Sequence, residues 1–374
     1  MKLWETIFTE SKYRANNKKS LRKINSLKKI KKGKNKKTKI TSNLGKNKAI
    51  APSSMDLYTK KDHDEMIIFV NDIERLAHSS NTSTSQKVHI CFRDTTKITA
   101  SAGLWLLSKI ESLIIKYPHV KYRVTKPPAV VVGDTKQKEY VVDSVLNRIG
   151  FYSALNIKKR EMREISNVKC WEVSRGEKVV GSEIGNLLKK ITENLSHDYS
   201  KLYRPLIEAM SNSVEHAYRE DLYTPNDLSN PTKWWCFAAL RDNKLIVLMC
   251  DLGVGIPNTL NVTQPENLIK KLIALIGKPL THDSDYIKAA LQVKKTRTKL
   301  GYRGKGGTDL QSIIESTPLS SLHIISNKGN YKYTNRNHIS KGLLEEQWDN
   351  KLSIGGTIVQ WSVTLPVYQE GEKS

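Results

Sequence analysis

The chain has 374 residues, with 62 Lys and Arg against 37 Asp and Glu, a formal net charge of +25. Its length points to two or three domains, and 38% hydrophobic with 26% charged residues fits a soluble protein and excludes a wholly disordered one. No run approaches the ~20 apolar residues of a membrane-spanning helix, which excludes that class.

The start, Met1-Lys2-Leu3-Trp4-Glu5, lacks the apolar core of a secretory signal. Cys91, Cys170, Cys236 and Cys250 are scattered, without C-x-x-C or zinc-like spacing. Together these predict a cytoplasmic protein without a structural metal.

The charge is uneven. Residues 1–50 hold 15 Lys and 2 Arg against two Glu, so the remaining residues carry only +10. Runs such as Lys28-Lys29-Ile30-Lys31-Lys32, set among Asn, Ser and Thr, predict a mobile, polybasic, disordered arm. Lys-dense segments displace counterions from phosphate polymers, so nucleic acid or another anionic surface is one candidate partner and a merely solvated tail the other. Aromatic residues are nearly absent after Tyr13, so stacking on single strands is not indicated. Ala51-Pro52-Ser53-Ser54 looks like a linker, which makes residues 1–55 an arm plus linker.

Residues 56–175 alternate in pattern. Lys87-Val88-His89-Ile90-Cys91-Phe92 predicts a strand. Residues 101–115 put Leu104, Leu107, Ile110 and Ile114 on one helical stripe. A second strand over 120–124 ends at Pro127-Pro128, and a second helix follows over 143–155 with Val145, Leu146 and Ile149 inward. Strand, helix, strand, helix makes a small α/β layer unit.

Residues 176–374 form a larger α+β unit. Helices are predicted over 182–195 and 203–218, and strands over 234–240 and 245–251 joined as a hairpin by Arg241-Asp242-Asn243-Lys244. Two helices (265–276 and 284–295), a glycine-rich stretch and strands over 320–326, 331–334 and 357–364 complete the chain.

Chemistry concentrates in four segments of this unit. Glu208, Asn212 and His216 stand at successive i,i+4 steps, on one helix face. A carboxylate one turn from an amide can polarise a water while the amide oxygen ligates a hard cation such as Mg²⁺. An exposed polar stripe is the plain alternative. The apolar strand ending at Cys250 runs into Asp251-Leu252-Gly253-Val254-Gly255, where a carboxylate can accept from an exocyclic amine and glycines admit a flat ring. Lys299-Leu300-Gly301-Tyr302-Arg303-Gly304-Lys305-Gly306-Gly307 precedes a helix, a phosphate cradle to which Arg297, Lys299, Arg303 and Lys305 add positive charge. Gly355-Gly356-Thr357 opens the last strand.

In this order the four segments resemble the N, G1, G2 and G3 boxes of the GHKL (Bergerat-fold, histidine-kinase-like) ATPases and kinases, over about residues 180–366. The resemblance implies a two-layer α/β sandwich binding ATP and Mg²⁺. Asn212 would ligate Mg²⁺, Glu208 would be the general base, and Asp251 would read the adenine amino group above Gly253 and Gly255. Gly304, Lys305, Gly306 and Gly307 would form the lid over the phosphates, and Thr357 would support the adenine side. The G2 box of the family usually reads G-x-G-L/M-G, whereas this chain has Gly304-Lys305-Gly306-Gly307-Thr308-Asp309-Leu310. Ser196-His197-Asp198 falls within this unit, only eleven residues before Glu208, and His197 is read as an incidental polar residue.

Residues 98–107, Ile-Thr-Ala-Ser-Ala-Gly-Leu-Trp-Leu-Leu, are similar to the strand-to-helix turn of STAS domains, the fold of anti-anti-sigma factors. The similarity extends over about 85–156. It would make Ser101 a phosphoacceptor, with Ala100 in place of the usual Asp; a simple helix N-cap is the other reading of Ser101. The wording Asn212-Ser-Val-Glu-His-Ala-Tyr218 resembles the anti-sigma serine kinase branch.

The fold class expected is therefore α/β: a basic arm, a STAS-like domain and a GHKL domain. The function expected is a Mg-dependent ATP-binding regulatory switch with a protein partner or self-association. The alternatives are a protein serine kinase of the anti-sigma type and a non-enzymatic, ATP-responsive nucleic-acid-binding regulator.

Overall fold

The structure, a computed structural model, describes residues 48–80, 87–131, 138–160, 168–192, 200–218, 220–222, 231–241, 244–298, 309–336 and 342–364. The polybasic arm, His197 and the glycine-rich stretch with Lys299, Arg303, Gly304, Lys305, Gly306 and Gly307 lie outside the described residues. Arg297 lies on a described helix, but its side chain does not belong to them.

The chain enters the fold earlier than its composition suggests. Strand β1 (Lys48–Ile50) pairs in parallel with β3 (Lys87–Cys91), which pairs in parallel with β5 (Lys121–Thr125). A short β2 (Ser54–Met55) pairs with β4 (Lys97–Ile98). Residues 51–54 are thus structural, not a linker. The Ala51 N–H donates to Cys91 O at 2.9 Å, Ser53 O accepts from Thr96 N–H at 2.9 Å, and Ala51 is buried. Parallel neighbours need crossovers, supplied by α1 (Lys60–Ser80) and α2 (Ala100–Lys116). The β6–β7 ribbon (Val130–Val131 and Lys138–Glu139) follows. The expected helix over 143–155 is two, α3 (Val141–Arg148) and α4 (Phe151–Ala154), broken where Gly150 takes φ +91°.

A second sheet has the order β13-β12-β11-β14-β10-β9-β8 and is antiparallel throughout. It starts with β8 (Val168–Gly176), before the expected boundary near residue 176. Helices α5 (Gly181–Thr192) and α6 (Ser200–Asn212) follow. Then come β9 (Trp234–Arg241), β10 (Lys244–Asp251), α7 (Ile256–Thr263), α8 (Glu266–Ile276), α9 (Asp283–Thr298) and α10 (Asp309–Ser316). Strands β11 (Ser320–Ser326), β12 (Gly329–Asn335), β13 (Leu343–Asp349) and β14 (Thr357–Thr364) end the fold.

This sheet is a middle layer, which explains why β9 and β10 read as almost unbroken apolar runs. Trp234, Cys236 and Ala238 share a core with Leu202, Leu206 and Met210 of α6. The alternate residues Trp235, Phe237 and Ala239 share a different core with Trp105, Leu106 and Ile110 of α2. Burial of one such indole contributes roughly 2–3 kcal/mol, and Trp105 also donates from Nε1 to Ile354 O at 3.0 Å. Two units read separately in the sequence therefore share one core within Asn47–Ser374. No helix among the described residues is long and apolar enough to cross a membrane.

Candidate functional site

A cavity of about 270 Å³ opens between the helical layer and the sheet. Glu208, Asn212, His216, Asp251, Gly255 and Thr357 all line it. These residues come from three stretches of chain, and the fold collects them.

Helix α6 delivers the first group. After Asn212 the helix widens into a single π-turn, Ser213–Ala217, instead of continuing as α-helix to 218. Such turns recur at functional positions because one extra residue re-aims the side chains that follow. Here Ser213 turns inward, with Oγ 3.1 Å from Ala209 O and 3.2 Å from Asp251 Oδ2. His216, expected on the α-helical face, still reaches the cavity from the π-turn.

Strand β10 ends in Asp251, only 6% exposed. Its Oδ1 accepts from the Gly253 N–H at 2.9 Å, and the Thr357 backbone amide adds a further hydrogen bond. Burial outweighs these three donors, so the Asp251 carboxyl is pushed up to about 6. Thr357 stands directly opposite Asp251 in the β10–β14 register, its Oγ1 3.0 Å from Ser326 Oγ.

Two glycines are dictated by close approach. A Cβ on Gly253 would lie 2.4 Å from the Ala217 Cβ and 2.5 Å from its carbonyl oxygen. A Cβ on Gly356, where φ is +134°, would lie 2.1 Å from Asp251 O. Gly356→Ala should cost about 2–4 kcal/mol in urea unfolding. Gly185→Ala in α5, with nothing within 4 Å, should be neutral or slightly stabilising.

Asn327 escaped the sequence reading. It sits at φ 51° between β11 and β12, donating from Nδ2 to Val254 O at 2.9 Å, and its N–H donates to Gly356 O at 3.0 Å. It thus ties the Asp251–Gly255 turn to the loop before β14. Its only sequence signal is Asn-Lys-Gly between two strands, a turn that tolerates left-handed backbone.

Met249, Ile287, Leu291, Ile324 and Val359 give the cavity apolar walls. Apolar walls around one buried carboxylate and a few hydroxyl and amide groups suit a flat heteroaromatic ring bearing an amine. Among the described residues no group of three His, Cys, Asp or Glu could hold a metal. A divalent ion at Asn212 would complete its shell with waters and with oxygens of a bound ligand, such as a triphosphate.

No family model, no curated protein and no solved structure matches this chain.

Proposed function

We propose that the chain is an ATP-binding regulatory switch of the GHKL (Bergerat-fold) class, with a STAS-like unit on the sheet face opposite the nucleotide. The observation that carries this reading is the assembly of Glu208, Asn212, Asp251, Gly255 and Thr357 around one cavity with a buried carboxylate. Asp251 accepts from the adenine amine, and the apolar walls hold the ring. Asn212 would contribute an oxygen ligand to Mg²⁺, which would supply charge neutralisation on the phosphates. Glu208, one helical turn away, takes the proton from an attacking water.

The switch reading is supported by contacts between the N-terminal unit and the loop before β14. His63 Nε2 lies 3.0 Å from Leu352 O, Asp64 Oδ1 accepts from the Leu352 N–H at 3.2 Å, and Lys109 Nζ donates to Gly355 O at 3.4 Å. The next residue, Gly356, abuts Asp251. Nucleotide at Asp251 and the packing of α1 and α2 therefore act on one loop.

Ser101 is fully buried, and the N-cap of α2 is Thr99, whose Oγ1 accepts from the Ala102 N–H at 3.4 Å. Both readings of Ser101, phosphoacceptor and cap, thus meet a side chain sealed in the core. Incubation with labelled ATP should leave Ser101 unphosphorylated in the native protein; phosphate mapped to Ser101 would revive the kinase reading in cis. Measuring ADP release against phosphoprotein, in wild type and Glu208→Ala, tests the proposal as a whole. Absence of both products, with no ATP binding, would sink it.

A further inference from the structure

The β1-β3-β5 sheet carries a feature that the nucleotide site does not use. Ala49, Val88 and Ile90 point into the core shared with α1 and α2. Period-two alternation sends Lys48, Lys87, His89, Lys121 and Arg123 to the opposite face.

The register turns these side chains into rows. Lys48, His89 and Arg123 stand side by side across the three strands, and Lys87 pairs with Lys121 two residues away. With strands ~4.8 Å apart, the first row spans roughly 10 Å, and the second lies ~7 Å from it. Lys87, Lys121 and Arg123 are exposed, and Lys48 and His89 are half-buried.

No carboxylate occupies any position of this face in the three strands. Among the described residues no ion pair neutralises Lys48, Lys87, Lys121 or Arg123. Within the first row Arg123 Nη2 donates to His89 Nδ1 at 3.2 Å, which leaves the guanidinium charge un-neutralised. Partial burial first, then the charges of Arg123 and Lys48, hold the His89 imidazole below its ordinary range. A surface that gathers four Lys and Arg side chains with no carboxylate among them is suited to a partner that brings the opposite sign.

We propose that this sheet face binds the phosphate backbone of duplex DNA. Duplex DNA presents one negative charge per ~1.7 Å of axis, a density able to meet both rows at once. The face offers no Phe, Tyr or Trp on which single-stranded bases could stack. It also presents no helix to enter a groove, so contact is with the backbone and independent of sequence. In the sequence, residues 1–47, with 14 Lys and 2 Arg against two Glu and a net charge of +14, immediately precede β1. A lipid surface is disfavoured because the face has a single exposed apolar side chain, Ile50, to insert. This face shares no residue with the cavity at Asp251.

The test uses the full chain and a short duplex of arbitrary sequence, titrated over a series of salt concentrations. The variant Lys87→Gln/Lys121→Gln/Arg123→Gln removes three exposed cations from the face. A control, Lys271→Gln/Lys328→Gln/Lys351→Gln, removes the same charge from exposed positions elsewhere. The face variant should bind about tenfold or more weakly near 0.1 M salt, with a log–log salt slope shallower by about 2–3. The control should bind as wild type does, and both variants should melt as wild type does by circular dichroism. Equal binding by face variant and control would overturn the proposal. So would tighter binding of the separated single strand, or of anionic vesicles, than of the duplex.

Discussion

Asp251→Asn should weaken ATP binding by tenfold or more while making the ligand-free protein more stable at neutral pH. The two effects share one cause, a carboxylate held in a buried cavity for its charge. Burial raises the folded-state Asp251 to about 6, above its ordinary value of 3.8. A raised acid contributes stability that is fully present below the unfolded value and is lost as pH climbs through the folded one. Above pH ~6 the ionised group therefore costs on the order of 3 kcal/mol, concentrated in the window between about pH 4 and 6. Asn keeps the shape and an oxygen for the Gly253 N–H without the charge. Its gain in urea midpoint should be clear at pH 7 and vanish near pH 4. ATP affinity of the wild type should fall as pH drops through ~6, since the neutral acid is the poorer acceptor for an amine. A destabilised Asp251→Asn variant with unchanged affinity would contradict both halves of the account.

Glu208→Ala carries the second large effect: turnover should drop by a factor of about 10²–10⁴, the usual contribution of a general base, with ATP affinity nearly unchanged. Glu208 lines the cavity at the surface of α6 and lies outside the buried core that supports Asp251. The loss should therefore appear in kcat, with the melting midpoint moving far less than for a core truncation. Glu208→Gln should behave alike, because an amide reproduces the hydrogen bonds but cannot accept the proton. Turnover that survives both substitutions would remove Glu208 from the chemistry.

Much of the second sheet was legible because its strands announce themselves locally. The expected strand over 357–364 coincides with β14, where Gly355-Gly356 marks the start and alternating burial fixes the length. Asp251 was legible from its place between an apolar run and two glycines. What stayed hidden depends on partners distant in sequence. Ala51-Pro52-Ser53-Ser54 has the composition of a linker, yet its backbone hydrogen-bonds to residues about forty positions away. Ser213 lies one turn after buried Ala209, on the inward face, and its hydrogen bond to Asp251 depends on a strand 38 residues away. Asn327 matters through a left-handed backbone and three loops that meet there. Ser101 was two residues from the true cap, Thr99, a spacing that tertiary packing decides. The basic sheet face, by contrast, was written in the strands but masked by the larger charge of the segment before them.

The cavity at Asp251 is proposed to hold an adenine nucleotide. Calorimetric titration of the wild-type chain with MgATP and, separately, MgGTP tests it most directly. Saturable one-to-one binding of ATP, with GTP rejected because its ring oxygen would face the Asp251 carboxylate, is the predicted result. No binding of ATP, or equal binding of the two nucleotides, would contradict it.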